Sequence, residues 1–548
     1  MIQDTVEKFS TLWPEIALLV GAVACLVAGL LPSASARRST PWVAGGAIVL
    51  AGLLSVWMVP FTGPPASDLG LGSMIMYLKW AVLGIGLILL LVAAGVPERL
   101  RRNVEAEAGG QFSPGTVYRG EFFAFFLFSL TGVMLTAGAN DLVWLFLALE
   151  LTSLPTYVMV ATARDASKAQ ESAVKYFFLG ALAAAVFLYG FTLIYGATGT
   201  TDFGQIRAYL TEADQPSTLL VLGLVLSVLG ICFKIAAFPM HFYAADVYEG
   251  ATTPVTAFLA FVPKVAGFAA LILLLSLVGW PLPPVLAGLL WAIAAITMTL
   301  GNVLALLQNN VKRVLAYSSV AHSGYILVGL LAGPAIQGGA AGRLNNGIAA
   351  VLFYLVAYGL GTVAAFAVLA CLTARNEEAE TFDDISGLAR RHPGLAGVMV
   401  VAVLSLLGLP PLIGFLGKIY LFVPALQTGY TSYLVLVVIG VVNSAISAAY
   451  YLRIASVCFF GQPAPEVRIL PARGRMLGAT LAALAAIPPA TAQQDPDGSE
   501  NETPTTETPA DAPAPGGAVP DEGASGADGF DGREATEPPL YDPEDDPE

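Results

Sequence analysis

Seven ionisable residues lie inside long apolar stretches of this sequence, where their chemistry needs an explanation. They are one carboxylate, four lysines and two histidines: Glu150, Lys175, Lys234, Lys264, Lys418, His241 and His322. A charged side chain at the middle of a bilayer costs about 3 kcal/mol on insertion scales, so such residues are rare and usually functional. Because carboxylates, amines and imidazoles all bind and release protons, this set indicates a proton path through a membrane.

Glu150 lies about nine residues after Asp141, near the middle of its apolar stretch. A carboxylate at that depth is either protonated or paired with a cation. We expect Lys175, about a turn and a half inside the next apolar stretch, to be that cation. Two alternatives stay open: the pair is purely structural, or the flexible Lys175 side chain reaches the membrane surface.

The stretch 218–268 is apolar enough for two membrane spans, yet it contains Lys234, Pro239, His241 and Lys264. Proline removes a backbone hydrogen bond from a helix and clashes with the preceding turn, so we predict a break at Pro239. Exposed backbone groups are tolerated at membrane depth only where they are buried in protein or face water. Lys234 and Lys264 are therefore expected to line the proton path. His241 either relays protons or caps the broken helix.

A second broken span is predicted at Pro410–Pro411, which Lys418 follows. Lys418 would be the terminal proton acceptor or donor, unless it only reaches out from the end of a half-helix. His322 lies about two and a half turns inside its span, within the serine-rich turn Ser318–Ser323. The serine hydroxyls are expected to order water beside the imidazole, and a hydrogen-bonded core histidine is the alternative.

The composition is that of a membrane protein, and the net charge of the whole chain does not describe its apolar part. Of 548 residues, 56% are hydrophobic and 12% charged, and the mean hydropathy is +0.72. The net charge is −14, but residues 494–548 hold seventeen acidic residues and one basic residue, which leaves 25 basic against 23 acidic elsewhere. The acidity therefore belongs to a tail and says nothing about ligands of the apolar part.

Several chemistries lack their sequence signatures. The four cysteines lie singly in apolar stretches, without a C-x-x-C pair or a Cys/His cluster, so neither an iron–sulfur nor a zinc site is supported. No dinucleotide-binding or Walker glycine motif precedes a helix. Redox chemistry is therefore expected in another chain.

Fourteen apolar spans are predicted, since about 18 apolar residues suffice to suggest a spanning helix. They fall at about 12–31, 42–60, 74–95, 120–137, 141–162, 170–196, 218–248 (broken), 252–277, 282–306, 310–333, 345–374, 394–426 (broken), 431–460 and 474–488. We interpret the first as an uncleaved span, because Asp4 and Glu7 precede it where a signal peptide carries basic residues. The last has only about thirteen apolar residues, so whether it crosses is left open.

Basic residues are unevenly divided between the loops. The loops after spans 1, 3, 5, 9, 11 and 13 each carry at least two Lys or Arg, whereas those after spans 2, 4, 8 and 12 carry none. Basic loops tend to stay in the cytoplasm. We therefore place the N-terminus outside.

The two prolines at the predicted breaks, Pro239 and Pro410, lie 171 residues apart, which indicates an internal repeat. Spans 4–8 and 9–13 would be its copies, and five spans per copy makes the second inverted. The predicted segments are 1–118 with three helices, 119–278 and 279–462 as the repeats, 463–492 as a short last helix, and 493–548 as a disordered acidic tail.

Five segments resemble the antiporter-like membrane subunits of respiratory complex I, and in the family's order. They are NDLVWLFLALELTSLPTYVMVA, ESAVKYFFLGALAAAVFLYG, FKIAAFPMHFYAADVYEGATTPVTAFLAFVPKVAGF, NVKRVLAYSSVAHSGYILVG and GLPPLIGFLGKIYLF. The resemblance spans residues 10–470, roughly. The lysine that follows proline in VPKVAGF is most similar to the N-type branch of the family.

The resemblance implies an all-α polytopic fold of fourteen transmembrane helices with inverted five-helix repeats and breaks in helices 7 and 12. It implies proton translocation driven by quinone reduction in other subunits. The family's helix-5 glutamate falls on Glu150, its lysines of helices 6, 7 and 8 on Lys175, Lys234 and Lys264, and its helix-12 lysine on Lys418.

The resemblance also implies the setting. NADH, FMN, iron–sulfur clusters and quinone are expected in partner subunits, with none in this chain. The partners are other membrane-arm subunits, in a bacterial inner membrane. Two other functions stay open: a subunit of a multi-subunit cation/proton antiporter, and a membrane scaffold whose buried charges only hold helices together.

Overall fold

Long helices make up nearly all of the described chain, as expected where no water competes for backbone hydrogen bonds. The computed structural model describes residues 12–31, 33–62, 72–94, 119–162, 167–212, 217–334, 346–374, 377–462, 467–469 and 473–487. The predicted acidic tail, 493–548, lies outside the described residues.

Most helices of the described ranges follow the predicted spans, whereas the short helices at 203–212, 382–385 and 388–391 were not predicted. In chain order the helices are α1 Trp13–Leu30, α2 Ala34–Thr62, α3 Gly72–Ala93, α4 Arg119–Ala137, α5 Leu142–Thr162, α6 Ser167–Thr198, α7 Phe203–Glu212, α8 Thr218–Ile231, α9 Tyr243–Gly250, α10 Thr253–Val278, α11 Pro284–Leu306, α12 Val311–Ala332, α13 Gly347–Ala370, α14 Phe382–Ile385, α15 Leu388–Arg391, α16 Pro393–Leu407, α17 Ile413–Gln427, α18 Thr431–Phe460 and α19 Arg473–Ala485. Eleven of these are long and apolar enough to cross a membrane. The prediction of an all-α polytopic protein is confirmed.

A small sheet at the ends of the helices was not predicted. Its strands are β1 Leu372–Ala374, β2 Glu377–Glu378 and β3 Val467–Ile469, in the order β2-β1-β3 with antiparallel pairing. It joins the segment that follows α13 to the segment that follows α18. Strands of two or three residues are too short to show an alternating pattern in the sequence.

Three helices form the centre of the bundle. In the most apolar part of α10, α12 and α13, 100%, 94% and 89% of the residues are buried, against 33% for α6 and 28% for α18. Ionisable side chains on the three central helices are therefore surrounded by protein, whereas α6 and α18 present much of their apolar surface to the outside. The centre contains Lys264 on α10 and His322 on α12.

The seventh predicted span is broken as expected, between α8 and α9. In the gap Ala236 adopts a left-handed backbone conformation with φ 54°, which costs a non-glycine residue roughly 1–3 kcal/mol. Neighbouring side chains satisfy freed backbone groups. The Phe238 amide donates to Thr297 Oγ1 at 3.0 Å, and the Tyr243 hydroxyl donates to the Phe233 carbonyl at 2.8 Å. The opened backbone is thus buried in protein, as the membrane requires.

The twelfth predicted span is also broken, between α16 and α17. Gly408 ends α16 with φ 84°, and its amide donates to the carbonyls of Leu404 and Ser405 at 3.1 and 3.0 Å. A left-handed residue at this point closes a helix and favours glycine, which lacks the Cβ that would clash. Pro410–Pro411 then prevents the helix from resuming at once.

The last helix, α19, is short, as the sequence indicated. Its 13 residues span about 20 Å at 1.5 Å per residue, which is less than the roughly 30 Å hydrocarbon core of a bilayer. The buried Arg475 donates from Nη1 to the Ala370 carbonyl at 2.8 Å, and the Ile413 amide donates to the Ala486 carbonyl at 3.1 Å. These bonds attach α19 to the ends of α13 and α17.

Candidate functional site

A buried ion pair joins α5 to the first break. Lys234, between α8 and α9, has its Nζ 3.0 Å from Glu150 Oε1 and donates to Ser153 Oγ at 2.7 Å. The side chain of Lys234 is 1% exposed and that of Glu150 is 16% exposed. The ammonium has therefore exchanged nearly all of its water for protein oxygens, which is stable only while the carboxylate remains opposite it.

Lys175 is not the partner of Glu150, contrary to the expectation from sequence. Its Nζ lies 2.8 Å from Glu171 Oε1 and 3.1 Å from Asp246 Oδ2, and its side chain is 44% exposed. Two other carboxylates bind it instead, Glu171 on its own helix and Asp246 on α9. Its part in a relay stays a prediction.

Lys264 is held by oxygens of α12. Its Nζ donates to the Ser319 carbonyl at 2.5 Å, to Ser319 Oγ at 2.9 Å and to Ser323 Oγ at 2.7 Å. Three acceptors match the three N–H groups of an ammonium. The ring of Tyr358 lies 4.7 Å from Nζ, and its hydroxyl donates to Ser319 Oγ at 2.6 Å. Among the described residues, no carboxylate forms a salt bridge with Lys264, unlike Lys234.

His322 lies between two tyrosines, whose hydroxyls contact both of its ring nitrogens. Its Nδ1 is 2.7 Å from the Tyr354 hydroxyl and its Nε2 is 2.9 Å from the Tyr451 hydroxyl. Both ring nitrogens thus have a partner that can donate or accept a proton. Sequence reasoning placed the nearby serines around His322, but Ser319 and Ser323 bind Lys264.

Lys418 follows the second break and is buried, with 6% exposure. Its Nζ donates to the Leu407 carbonyl at 2.7 Å and to Ser444 Oγ at 3.0 Å, and it lies 4.8 Å from the centre of the Tyr325 ring. The carbonyl is one that the break leaves without a helical partner. The two broken helices therefore each present a lysine to the interior.

His241 is 3% exposed, at the first break. Its Nδ1 has no hydrogen-bond partner among the described residues, and its ring centre lies 4.5 Å from that of Phe242. No described contact joins it to the lysines, so both its relay role and its capping role stay predictions.

Shared neighbours connect the other buried groups into what we call the central row: Glu150, Lys234, Lys264, His322 and Lys418. Ser323 bonds Lys264 and also the carbonyl of Ile235, the residue after Lys234. The ring of Tyr358 contacts both Lys264 and His322, with 5.0 Å between the Tyr358 and His322 ring centres. The ring of Tyr325 lies next to His322 and next to Lys418.

Sequence reasoning missed an ion cluster at the ends of α6, α9 and α12. Arg313 Nη1 lies 2.9 Å from Asp246 Oδ1 and 2.7 Å from Glu249 Oε2. The fully buried Lys312 donates to the Ala251 carbonyl at 2.7 Å and lies 3.3 Å from Glu380 Oε1. The signal was available in the acidic residues of DVYEG and the basic pair of NVKR, which looked like ordinary loop charges.

The Glu249 carboxyl shows how strongly this cluster is paired. Partial burial raises its pKa, but hydrogen bonds from Lys168 and Arg313 outweigh burial and hold the pKa below its ordinary value. Glu249 is therefore ionised at neutral pH and ties α9 to α6 and α12.

A second buried pair was also missed. Lys79 Nζ on α3 lies 2.7 Å from Glu15 Oε1 on α1, and the two side chains are 7% and 2% exposed. Both residues lie near the starts of their apolar spans, so the criterion of a position near mid-membrane, which selected Glu150, did not find them.

The arrangement can exchange protons between amines, hydroxyls and an imidazole. Among the described residues no group of three or more His, Cys, Asp or Glu is placed to hold a metal ion. The residues of the central row come from both halves of the chain, since α5 and α10 carry Glu150 and Lys264 while α12 and α17 carry His322 and Lys418.

Comparison with known sequences gives a consistent result. Residues 139–447 match the family model described as NADH:quinone oxidoreductase/Mrp antiporter, TM. The NADH-quinone oxidoreductase subunit N of Trichlorobacter lovleyi is 39% identical over 83% of this chain and 88% of the relative. That of Myxococcus xanthus is 38% identical over 84% of this chain and 90% of the relative.

Solved structures share the fold. A chain of respiratory complex I from Thermus thermophilus superposes with a TM-score of 0.67 at 32% identity, covering 86% of this chain and 96% of that one. A chain of the Mrp complex from Dietzia gives 0.68 at 20% identity, covering 86% and 93%. At that lower identity the second likeness concerns the fold alone.

Proposed function

Because the chain belongs to the family of NADH-quinone oxidoreductase N subunits, we propose that it moves protons across the membrane through the central row, driven by quinone reduction in other subunits. It is an antiporter-like membrane subunit of complex I. The observation that carries the proposal is the Glu150–Lys234 pair, buried at the break of a membrane helix and linked to Lys264 by shared contacts.

The first transfer involves the ion pair. When the Lys234 ammonium loses its proton, the neutral amine no longer attracts the Glu150 carboxylate. The Glu150–Lys234 contact therefore depends on whether Lys234 is protonated. A proton that Lys234 releases is taken up by a neutral Lys264 amine, and the ammonium so formed is held by the oxygens of Ser319 and Ser323. One amine loses a proton and the other gains it, so charge is conserved.

The later transfers use groups without a carboxylate partner. Lys264 gives its proton to His322, whose two nitrogens face Tyr354 and Tyr451. The imidazole then passes a proton to Lys418 at the second break. An ammonium without a counter-charge in a buried site is more easily discharged than one in an ion pair. Proton release from the paired Lys234 is therefore the controlled step, and the unpaired Lys264 carries the proton onward.

The setting completes the proposal. The chain lies in a bacterial inner membrane with its N-terminus outside, beside other membrane-arm subunits that lead to the subunits holding NADH, FMN, iron–sulfur clusters and quinone. The helices of 119–278 and 279–462 act as two inverted repeats, each with one broken helix and its lysine. Lys175 and His241 complete the proposed relay as proton-exchanging groups outside the central row.

Proton pumping by complexes that carry Glu150→Ala or Lys234→Ala tests the function. We expect NADH-driven proton uptake into vesicles to fall by at least several-fold in either variant, because the first transfer loses its donor or its control. Glu212→Ala is the matched control, since Glu212 is exposed at the end of α7, away from the central row. It should pump normally.

Other outcomes favour the competing functions. Fully assembled variants with an unchanged proton yield per NADH would show that the buried charges only hold helices together. Sodium-dependent transport by the protein without redox partners would show a cation/proton antiporter subunit. Copurification with flavin and iron–sulfur subunits is expected under our proposal.

A further inference from the structure

One hydroxyl joins the two lysines that the proposed transfer connects. Ser323 on α12 is completely buried, accepts from Lys264 Nζ at 2.7 Å and donates to the Ile235 carbonyl. Ile235 directly follows Lys234. The hydroxyl therefore contacts the amine of one lysine and the backbone beside the other.

The orientation of this hydroxyl follows from its single proton. A serine has one O–H and two lone pairs. The proton of Ser323 can point to the Ile235 carbonyl or, at 3.3 Å, to the Ser319 carbonyl of its own helix. In both cases the lone pairs stay free for the Lys264 ammonium. When Lys264 is neutral, the same O–H can instead turn and donate to the amine.

The Ile235 carbonyl is free because the helix is broken there. The next residue, Ala236, has a left-handed backbone, which turns the chain out of the helical path. Helix α10 also packs closely against this segment, since a Cβ on Gly267 would lie 2.6 Å from Ile235 Cγ2 and 3.0 Å from Lys234 Cβ. The break thus contacts both Gly267 and Ser323, and Lys264 lies one turn before that glycine.

We propose that Ser323 is the positioning residue that couples the charge on Lys264 to the backbone of the first break, and through it to the Glu150–Lys234 pair. This inference rests on the proposed function. With an ammonium at Lys264, the hydroxyl proton is held on the Ile235 carbonyl and fixes the break. With a neutral amine, the proton turns to the amine and releases the carbonyl. Each proton transfer at Lys264 thus forms or breaks the Ser323–Ile235 hydrogen bond that holds the segment carrying Lys234.

The variant Ser323→Ala tests the coupling. We expect the proton yield per NADH to fall by about half or more while the assembled complex still reduces quinone. The alkaline limb of the pumping–pH profile should also move to lower pH by about one unit, because the ammonium loses one of three charge-assisted hydrogen bonds. Ser323→Thr keeps the hydroxyl and should restore most of the yield and the parental profile.

Two further variants make the outcome decisive. Ser276→Ala removes a buried hydroxyl on α10 that donates to its own helix, at the Leu273 carbonyl, and should leave yield and profile unchanged. Lys264→Met should abolish pumping. If Lys264→Met pumps normally, the proposed function is wrong. If Lys264→Met fails but Ser323→Ala keeps the parental yield and profile, only the role of Ser323 is overturned.

Discussion

The lysines of the central row replace their lost water in two different ways. Lys234 has a carboxylate at 3.0 Å, whereas Lys264 has two hydroxyls and one carbonyl. Burying an ion costs several kcal/mol even after relaxation. The carboxylate offsets that cost with a full negative charge. Hydroxyl and carbonyl oxygens carry only partial charges and offset less of it. The surroundings therefore stabilise the two ammonium groups to different degrees.

The ion pair makes a prediction at the scale of single residues. Glu150→Gln should destabilise the protein by about 3–5 kcal/mol, because it leaves the Lys234 ammonium buried without a counter-charge. Lys234→Met should also destabilise it, but the double variant should be more stable than the sum of the two by at least about 1 kcal/mol. Thermal unfolding of the purified complex measures all three.

The pair of Lys175 and Glu171 serves as the control cycle for this measurement. Both side chains are substantially exposed, so water and salt screen their attraction, and the cycle of Glu171→Gln and Lys175→Met should show no measurable coupling. Purely additive effects at Glu150 and Lys234 as well would contradict the pairing.

Elements that carry the row are held in place by close helix contacts. Helices α6 and α8 meet at glycines: a Cβ on Gly190 would lie 2.4 Å from Ser227 Oγ and 2.6 Å from the Gly223 carbonyl. In a bilayer, small residues at helix contacts replace the hydrophobic drive that water supplies elsewhere. Since Lys234 follows the end of α8, the position of α8 against α6 determines where that lysine lies.

Gly190→Val is the corresponding prediction for an element. The new side chain has backbone and a hydroxyl within overlap distance, so α8 must shift, and we expect a loss of about 1–3 kcal/mol. Proton pumping should also fall, because the shift of α8 moves Lys234 away from Glu150. Gly288→Val on α11 is the matched control, because a Cβ there meets no atom within 4 Å. Equal stability of the two variants would show that the α6–α8 contact is not tight.

At the scale of the whole molecule, charge lies inside and apolar surface lies outside. The most exposed apolar side chains include Phe178 on α6 and Phe460 at the end of α18, at 66% and 83%. Lys264, by contrast, is 1% exposed. This is the reverse of a protein folded in water, and lipid or neighbouring subunits must cover the outer face.

Orientation in the membrane gives the prediction for the molecule. Gln427 ends α17 on the side proposed to face out, and Gln462 follows α18 on the side proposed to face the cytoplasm; both are exposed. The four native cysteines are buried. A membrane-impermeant maleimide should therefore label Gln427→Cys but not Gln462→Cys from outside the inner membrane, with the reverse in inverted vesicles. The opposite labelling pattern would place the N-terminus in the cytoplasm.

The sequence alone determined most of the spans, both breaks and the members of the central row, but not that Lys175 is 44% exposed. Hydropathy over about 20 residues and the missing N–H of proline act locally, so they can be read without knowing the neighbours. That is why α1 to α6, α8 and α10 to α13 coincide with the predicted apolar runs, and why the gaps after α8 and α16 coincide with proline, whereas the polar helix α7 was not predicted.

Only the tertiary structure decided which charges meet. Glu150 binds Lys234, 84 residues away. Lys264 binds Ser319 and Ser323, which the sequence placed beside His322. Each pairing depends on how two helices are rotated and shifted against each other, and one residue of rotation turns a side chain by about 100°. The rotation and shift of each helix depend on the packing of all the helices together, through close contacts such as Gly190 on Gly223. The sequence of a single segment therefore does not determine which charges meet.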